Sequence, residues 1–173
     1  MKYLKEELLI STQKQKKKTL LIYFIIFSIY LAVSVLLFCW YKIQVYKSPT
    51  IKTIKAIHYS LSVIMAFFSF IYLGIVYKRV NCFYKALNKI KIGIKETYEA
   101  EFIGYDETST SIHGVEYKSL VFKEWNKYKK DYYERKVKVF NELDFPVIEE
   151  GKKVKFITQA NILVEYEYIT ENE

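Results

Sequence analysis

The sequence predicts a membrane protein: an N-terminal two-helix transmembrane hairpin followed by a small all-β, antiparallel, barrel-like cytoplasmic domain. Three observations carry that expectation. Two uncharged apolar runs, TLLIYFIIFSIYLAVSVLLFCWY at 19–41 and AIHYSLSVIMAFFSFIYLGIVY at 56–77, stand close together. Basic residues crowd the flanks of both. Beyond Gly93 the hydrophobic period changes from helical spacing to two.

The runs hold 23 and 22 residues. A helix needs about 20 apolar residues to cross the hydrocarbon layer. Two such helices buried in a soluble core would need a larger protein shell than a 173-residue chain can supply. The first run also exceeds the h-region of a signal peptide, and LLFCWYK at its end lacks a small-x-small cleavage site. It is therefore expected to be a retained span.

Charge divides the chain. The net charge is +8, but residues 1–95 contribute +14 and residues 96–173 contribute −6. Basic residues beside membrane helices orient them and meet anionic lipid. The acidic C-terminal part argues against a partner that is a nucleic-acid polymer. Residues 1–18 carry six Lys, residues 78–95 six basic residues, and the intervening loop KIQVYKSPTIKTIK four Lys. That asymmetry predicts a two-pass protein of the inner or plasma membrane with both termini cytoplasmic. Trp40, Tyr41, Tyr46 and Tyr59 would form the outer aromatic belt, and Tyr23 and Tyr77 part of the inner one. Cys39 and Cys82 would lie on opposite sides of the bilayer and serve as small apolar fillers.

The expected segments follow in order. Residues 1–18 form a basic amphipathic cytoplasmic segment, in which residues 2–17 begin as a short helix with Tyr3, Leu4, Leu8 and Leu9 on one side. Residues 19–41 are the first span, 42–55 a short external loop and 56–77 the second span. Residues 78–92 continue as a cytoplasmic helix through Val80, Phe83, Tyr84, Leu87 and Ile90, with Gly93 as its stop. Residues 93–173 form the β-rich domain.

In that domain TYEAEFIGY alternates Tyr98, Ala100 and Phe102 against Glu99 and Glu101. DETSTSIHG reads as a turn-rich segment and VEYKSLVF as a strand. KEWNKYKKDYY suits either a helical face or a strand-to-strand connection. RKVKVFNEL is a strand with Val137 and Val139 pointing one way, and FPVIEEG a turn. KKVKFI and NILVEYEYI make a last hairpin, with Ile162, Val164, Tyr166 and Tyr168 on one face. Five or six antiparallel strands in so short a stretch suit a small, closed or half-closed barrel.

Enzymatic motifs are missing. The five glycines have neither dinucleotide-binding nor P-loop spacing, and there is no nucleophile elbow. His58 and His113 are far apart in sequence. The paired carboxylates Glu149 with Glu150, and Glu165 with Glu167, suit solvated positions. No catalytic residue, metal site or cofactor is expected.

Two features remain. Small residues recur at helical spacing in the spans: Ser28 and Ala32 in the first, Ser62, Ala66 and Ser69 in the second. Such ridges let helices approach, either within the hairpin or between chains of a homo-oligomer. In the soluble part, EWNKYKKDYYERK interleaves Trp125, Tyr128, Tyr132 and Tyr133 with Lys and Arg. Trp125 and Tyr132 could stack a base while Lys130 and Arg135 hold phosphate; the same residues also suit an aromatic barrel rim.

Two spans followed by a short β-rich cytoplasmic domain resemble the two-span β-barrel effectors of bacterial anti-phage cyclic-oligonucleotide signalling (CBASS). The resemblance spans 19–41, 56–77 and 96–169 as architecture. It implies a barrel that binds a cyclic nucleotide made by a partner nucleotidyltransferase, and spans that assemble in the lipid bilayer and damage the inner membrane in antiviral defence. The expected function is that of a non-enzymatic membrane effector sensing a small ligand. The alternative is a membrane-anchored adaptor or immunity protein whose β domain binds a protein.

Overall fold

A computed structural model describes residues 2–44, 49–126, 128 and 130–169. The chain divides into two compact units, Gln13–Asn81 on one hand, and Met1–Thr12 with Cys82–Glu173 on the other.

The helical elements are α1 (Glu6–Ile43), α2 (Pro49–Ile71), a π-helical segment (Tyr72–Tyr77) and α3 (Lys78–Ile92). The structure has two helices, Glu6–Ile43 and Pro49–Ile92, long and apolar enough to cross a membrane. The loop expected at 42–55 is shorter than that, because helix continues to Ile43 and resumes at Pro49. Proline suits the start of a helix, where its missing N–H costs no hydrogen bond. Residues 45–48, including Tyr46 of the expected outer belt, lie outside the described residues.

Within Gln13–Asn81 the helices are joined by tyrosines. The Tyr30 and Ser62 hydroxyls meet at 3.0 Å, the Tyr23 hydroxyl donates to Ser69 Oγ at 3.2 Å, and the Tyr72 hydroxyl donates to the Thr19 carbonyl at 3.0 Å. Ser62 and Ser69 also donate to the His58 and Met65 carbonyls one turn earlier, both at 2.8 Å. Each serine thus satisfies its own helix and accepts or shares a bond with the other. In an apolar environment such bonds contribute about 0.6–2 kcal/mol each. The outward side chains stay uncovered: Leu36 is 68% and Phe70 78% exposed.

The second unit is a closed five-stranded barrel of order β1-β2-β3-β5-β4. Its strands are β1 (Glu96–Ile112), β2 (Val115–Asn126), β3 (Asp131–Phe140), β4 (Lys153–Gln159) and β5 (Ile162–Tyr168). All pairs are antiparallel except the closing one, in which β3 and β5 meet in parallel at Lys138 and Ile162. The expectation of a wholly antiparallel barrel is corrected there. Crossing from β3 to β4 over one end reverses the direction in which β5 reaches β3.

DETSTSIHG, expected as a turn, is mostly strand. β1 runs to Ile112 through an irregularity between Asp106 and Thr110, and only His113 and Gly114 turn, with φ of 52° and 78°. That left-handed pair suits a tight hairpin. Ala160 and Asn161, with φ of 47° and 65°, make the β4–β5 turn in the same way.

Alternation on β1 places Ala100 and Phe102 inside the barrel, where Phe102, Phe122 and Phe156 are fully buried. Phe122 stacks on Phe156 at 4.2 Å between centroids and meets Phe102 edge-on at 5.4 Å. On β5 the single-face expectation fails. The register slips by one residue opposite Ile157 and Thr158, so Leu163 and Tyr166 join the interior while Val164 joins a second core outside it. One extra residue reverses the alternation.

The second core holds the helical stems. Leu4, with Leu8 and Leu9 beside it, and Phe83, Leu87 and Ile90 of α3 pack with Val115, Tyr117, Phe140 and Val164. Phe83 meets Phe140 edge-on at 5.2 Å. The helix expected over residues 2–17 begins only at Glu6. Instead the Tyr3 and Leu4 N–H groups donate to the Val164 carbonyl at 3.0 and 3.1 Å, and Lys2 bridges to Glu165. Segments that precede and follow the apolar hairpin in sequence are therefore bound into one barrel core.

Candidate ligand-binding surfaces of the barrel

The β2–β3 hairpin positions the aromatic and basic residues singled out in sequence. KEWNKYKKDYY is a strand-to-strand connection, with Trp125 opposite Tyr132 and Glu124 opposite Tyr133. Trp125 and Tyr132 meet edge-on at 4.8 Å, and Lys123 Nζ lies over the Tyr132 ring at 4.9 Å. Lys130 sits in the hairpin turn with φ of 51°, and Tyr128 at the tip is fully exposed. Lys127 and Lys129 lie outside the described side chains.

Arg135 belongs to the other face. Strand alternation that turns Leu120, Phe122 and Val137 inward also turns Glu124 and Arg135 inward. Arg135 Nη1 donates to Glu124 Oε2 at 3.0 Å, and the guanidinium carbon lies 3.5 Å from the centre of the Tyr98 ring. The Tyr133 hydroxyl donates to the same carboxylate oxygen at 2.7 Å. Burial is the largest single influence on Arg135 and works against its charge, but Glu124 and Tyr98 together outweigh it and hold the pKa above its ordinary value. Burial and Glu124 also push the Tyr133 phenol up. The four residues named from sequence thus divide: Trp125 and Tyr132 form a pair, Lys130 sits at the tip, and Arg135 is a strut inside the barrel mouth. A phosphate at Arg135 would have to displace Glu124.

The spans' small residues divide as well. Ser62 and Ser69 take part in the Tyr–Ser bonds of the hairpin, whereas Ser28, Ala32 and Ala66 are exposed.

A second surface has no counterpart among the residues singled out in sequence. A cavity of about 440 Å³ opens between α3 and the turns that end β1 and β4. Cys82, Lys85 and Lys89 come from α3, His113 from the β1–β2 turn, Lys138 from β3 and Gln159 from β4. Its floor includes the buried Ile90, Val115 and Tyr117. Burial pushes the Tyr117 phenol up, so it stays neutral. Two glycines adjoin its lining residues, one tightly and one in ordinary contact. A Cβ on Gly114 would stand 3.8 Å from Cys82 Sγ, and one on Gly93 would collide with the Gln159 side chain. No sequence motif marks this site, because its residues converge only when the turns and α3 meet. The i, i+4 spacing of Lys85 and Lys89 was the one signal available.

Within residues 141–152, Phe145 and Ile148 cover part of the barrel interior. Ile148 N–H donates to the Tyr105 hydroxyl at 2.8 Å, and that hydroxyl in turn lies 3.1 and 3.0 Å from the Pro146 and Ile148 carbonyls. Asp106 accepts from Lys136 Nζ at 2.7 Å and from both the N–H and the hydroxyl of Thr108. Those bonds hold its carboxyl well below the usual carboxylate range.

A closed five-stranded barrel whose β3 and β5 meet in parallel has the strand order of the oligonucleotide/oligosaccharide-binding (OB) barrel. The chain therefore combines two apolar helices with a barrel of OB-type topology. No protein-family model matches the chain, and no curated protein matches it. Among solved structures it is similar to the dimeric N-terminal domain of the PriB protein from Thermoanaerobacter tencongensis, at 16% identity over 44% of this chain and 97% of that one, with a TM-score of 0.31.

Proposed function

We propose that the chain is a two-pass membrane protein whose cytoplasmic barrel senses a ligand and whose membrane helices carry out the response without catalysis, as an effector of antiviral defence would. The observation that carries the reading is the shared core. Leu4 on one stem, and Leu87 and Ile90 on the other, pack in one cluster with strand residues Val115, Phe140 and Val164. A change in that cluster is felt by both stems without a flexible linker. The outward apolar side chains of Glu6–Ile43 and Pro49–Ile92 support membrane insertion, since a soluble hairpin would leave them in water. A ligand shifts such a system only if it binds the responding state better than the resting one.

The test is forced clustering. The full chain, fused to a chemically induced dimeriser and expressed in bacteria, should depolarise the inner membrane when the dimeriser is added. Phe140→Ala, which opens the shared core, should weaken that response at equal expression. Cells that keep their potential under clustering would overturn the effector reading. A second reading, an adaptor that binds a protein, is favoured by the exposed Trp125, Tyr128 and Tyr132 at the hairpin tip, since aromatic side chains are enriched at protein interfaces.

A further inference from the structure

The cavity between α3 and the two barrel turns has a composition that selects its ligand. Lys85, Lys89 and Lys138 line it and Asp and Glu do not, and among the described residues none of these three ammonium groups is ion-paired. Three cations on one cavity without an acid leave positive potential unneutralised, which a compact anion relieves. His113 and Gln159 add side-chain hydrogen-bonding groups, and the neutral Tyr117 adds a phenol. Beneath these groups the cavity is apolar, with Ile90, Ile112, Val115 and Ile162 exposing hydrocarbon to it. The volume falls in the range of small-molecule sites, about 300–1,000 Å³.

We propose that this cavity binds a phosphate-bearing amphiphile, its phosphate against Lys85, Lys89 and Lys138 and its apolar part on the isoleucine and valine floor. This rests on the sensor reading and assigns its site and ligand class. Phosphate is the anion of choice because three separate ammonium donors suit an ion with several oxygens, whereas a carboxylate offers two. The ligand joins two structural parts, since Lys85 and Lys89 belong to α3 while Lys138 belongs to β3. Occupancy therefore ties a stem to the barrel at the same place where their apolar side chains meet.

Two sources offer this chemistry: the headgroup of an anionic membrane lipid and a soluble phosphate ester. Cys82 reports on both, because its thiol lines the cavity and Cys39, the other cysteine, can be removed as Cys39→Ser. The full chain in phosphatidylcholine nanodiscs is alkylated with a maleimide in two arms. In one, phosphatidylglycerol is titrated into the nanodisc; in the other, phenyl phosphate is added to the buffer. Protection of Cys82 in the first arm assigns a lipid, and protection in the second a soluble ester. The double variant Lys89→Gln/Lys138→Gln should weaken half-protection by at least roughly tenfold, the loss of one or two charge-assisted contacts. Lys91→Gln, on α3 but outside the cavity, should not. Lys89→Arg/Lys138→Arg keeps the charges and should retain protection, which separates ligand loss from misfolding. No protection in either arm, or protection unchanged in the glutamine double variant, overturns the proposal. The sensor reading stands or falls separately on the clustering experiment: a bound amphiphile in a protein that never depolarises cells leaves the site and removes the effector.

Discussion

Arg135→Ala separates a structural arginine from a ligand-binding one. The side chains of Arg135 and Glu124 are 17% and 21% exposed, and the bond between them is 3.0 Å long. A charge-assisted hydrogen bond in such a setting contributes about 1.5–3 kcal/mol. The guanidinium also lies 3.5 Å from the Tyr98 ring centre, a contact of about 0.5–2 kcal/mol. Glu124 keeps the Tyr133 hydroxyl after the substitution, so its charge is not stranded entirely. The combined loss is about 2–4 kcal/mol. A domain of this size loses roughly 4–8 °C of Tm per kcal/mol, so melting should fall by roughly 8–30 °C. Thermal denaturation of the full chain in detergent, followed by differential scanning calorimetry, measures it. Trp125→Ala serves as the control on the outer face and should cost less than about 1 kcal/mol, because Trp125 is 47% exposed. A double-mutant cycle with Glu124→Gln should give a coupling of about 1 kcal/mol or more. An Arg135→Ala protein that melts within about 2 °C of the parent would refute the strut and free Arg135 for a phosphate.

Further outcomes follow from the same geometry. Tyr105→Phe removes the acceptor of the Ile148 N–H and should destabilise the barrel by about 1–3 kcal/mol, raising protease cleavage within residues 141–152. Asp106 has a depressed pKa, so its contribution is present above the ordinary carboxylate range and is lost as pH falls through the folded value. Asp106→Asn should therefore lower urea stability at neutral pH and converge with the parent in strong acid; an equal deficit at all pH values would contradict this. Ala66→Leu enlarges an exposed position and should weaken crosslinked oligomers if that face meets a second chain; unchanged crosslinking would assign association elsewhere. In intact cells, a membrane-impermeant thiol reagent should modify a cysteine placed at Ser48 and spare those placed at Lys14 and Glu107, and the reverse pattern would invert the proposed topology.

The two apolar helices were legible because an uncharged run over twenty residues long matches the thickness of a hydrocarbon layer, and strands or surface helices interrupt such runs with charge. The barrel was legible as a strand class because Tyr98, Ala100 and Phe102 alternate with glutamates, and because Val137 and Val139 share a face. Sequence left closed and half-closed barrels open, because the single parallel contact between Lys138 and Ile162 leaves no local pattern. The β5 faces were misassigned because a one-residue slip is a property of the pair and not of either strand. DETSTSIHG misled through composition, since a long strand paired along its length tolerates Ser and Thr that read as turn formers. The binding candidates on the hairpin were found as a cluster, yet alternation turned Arg135 to the opposite face from Trp125. The α3 cavity offered only the Lys85 and Lys89 spacing, since Lys138 lies 49 residues beyond Lys89 in the chain.

The bond between the N-terminal strap and β5 has a consequence for biosynthesis. Tyr3 and Leu4 leave the ribosome well before their acceptor, the Val164 carbonyl, which is made roughly 160 residues later. At about 5–20 residues per second, that is on the order of 10–30 s in which the strap has no site. Both apolar helices emerge in that interval, before any strand exists to hold their stems. The helices are therefore complete before the strands that will hold their stems. Vectorial synthesis thus makes β5 the closing stitch: a nascent chain stalled before Ile162 could pack α3 on Val115, Tyr117 and Phe140 but would leave the N-terminal strap unfastened.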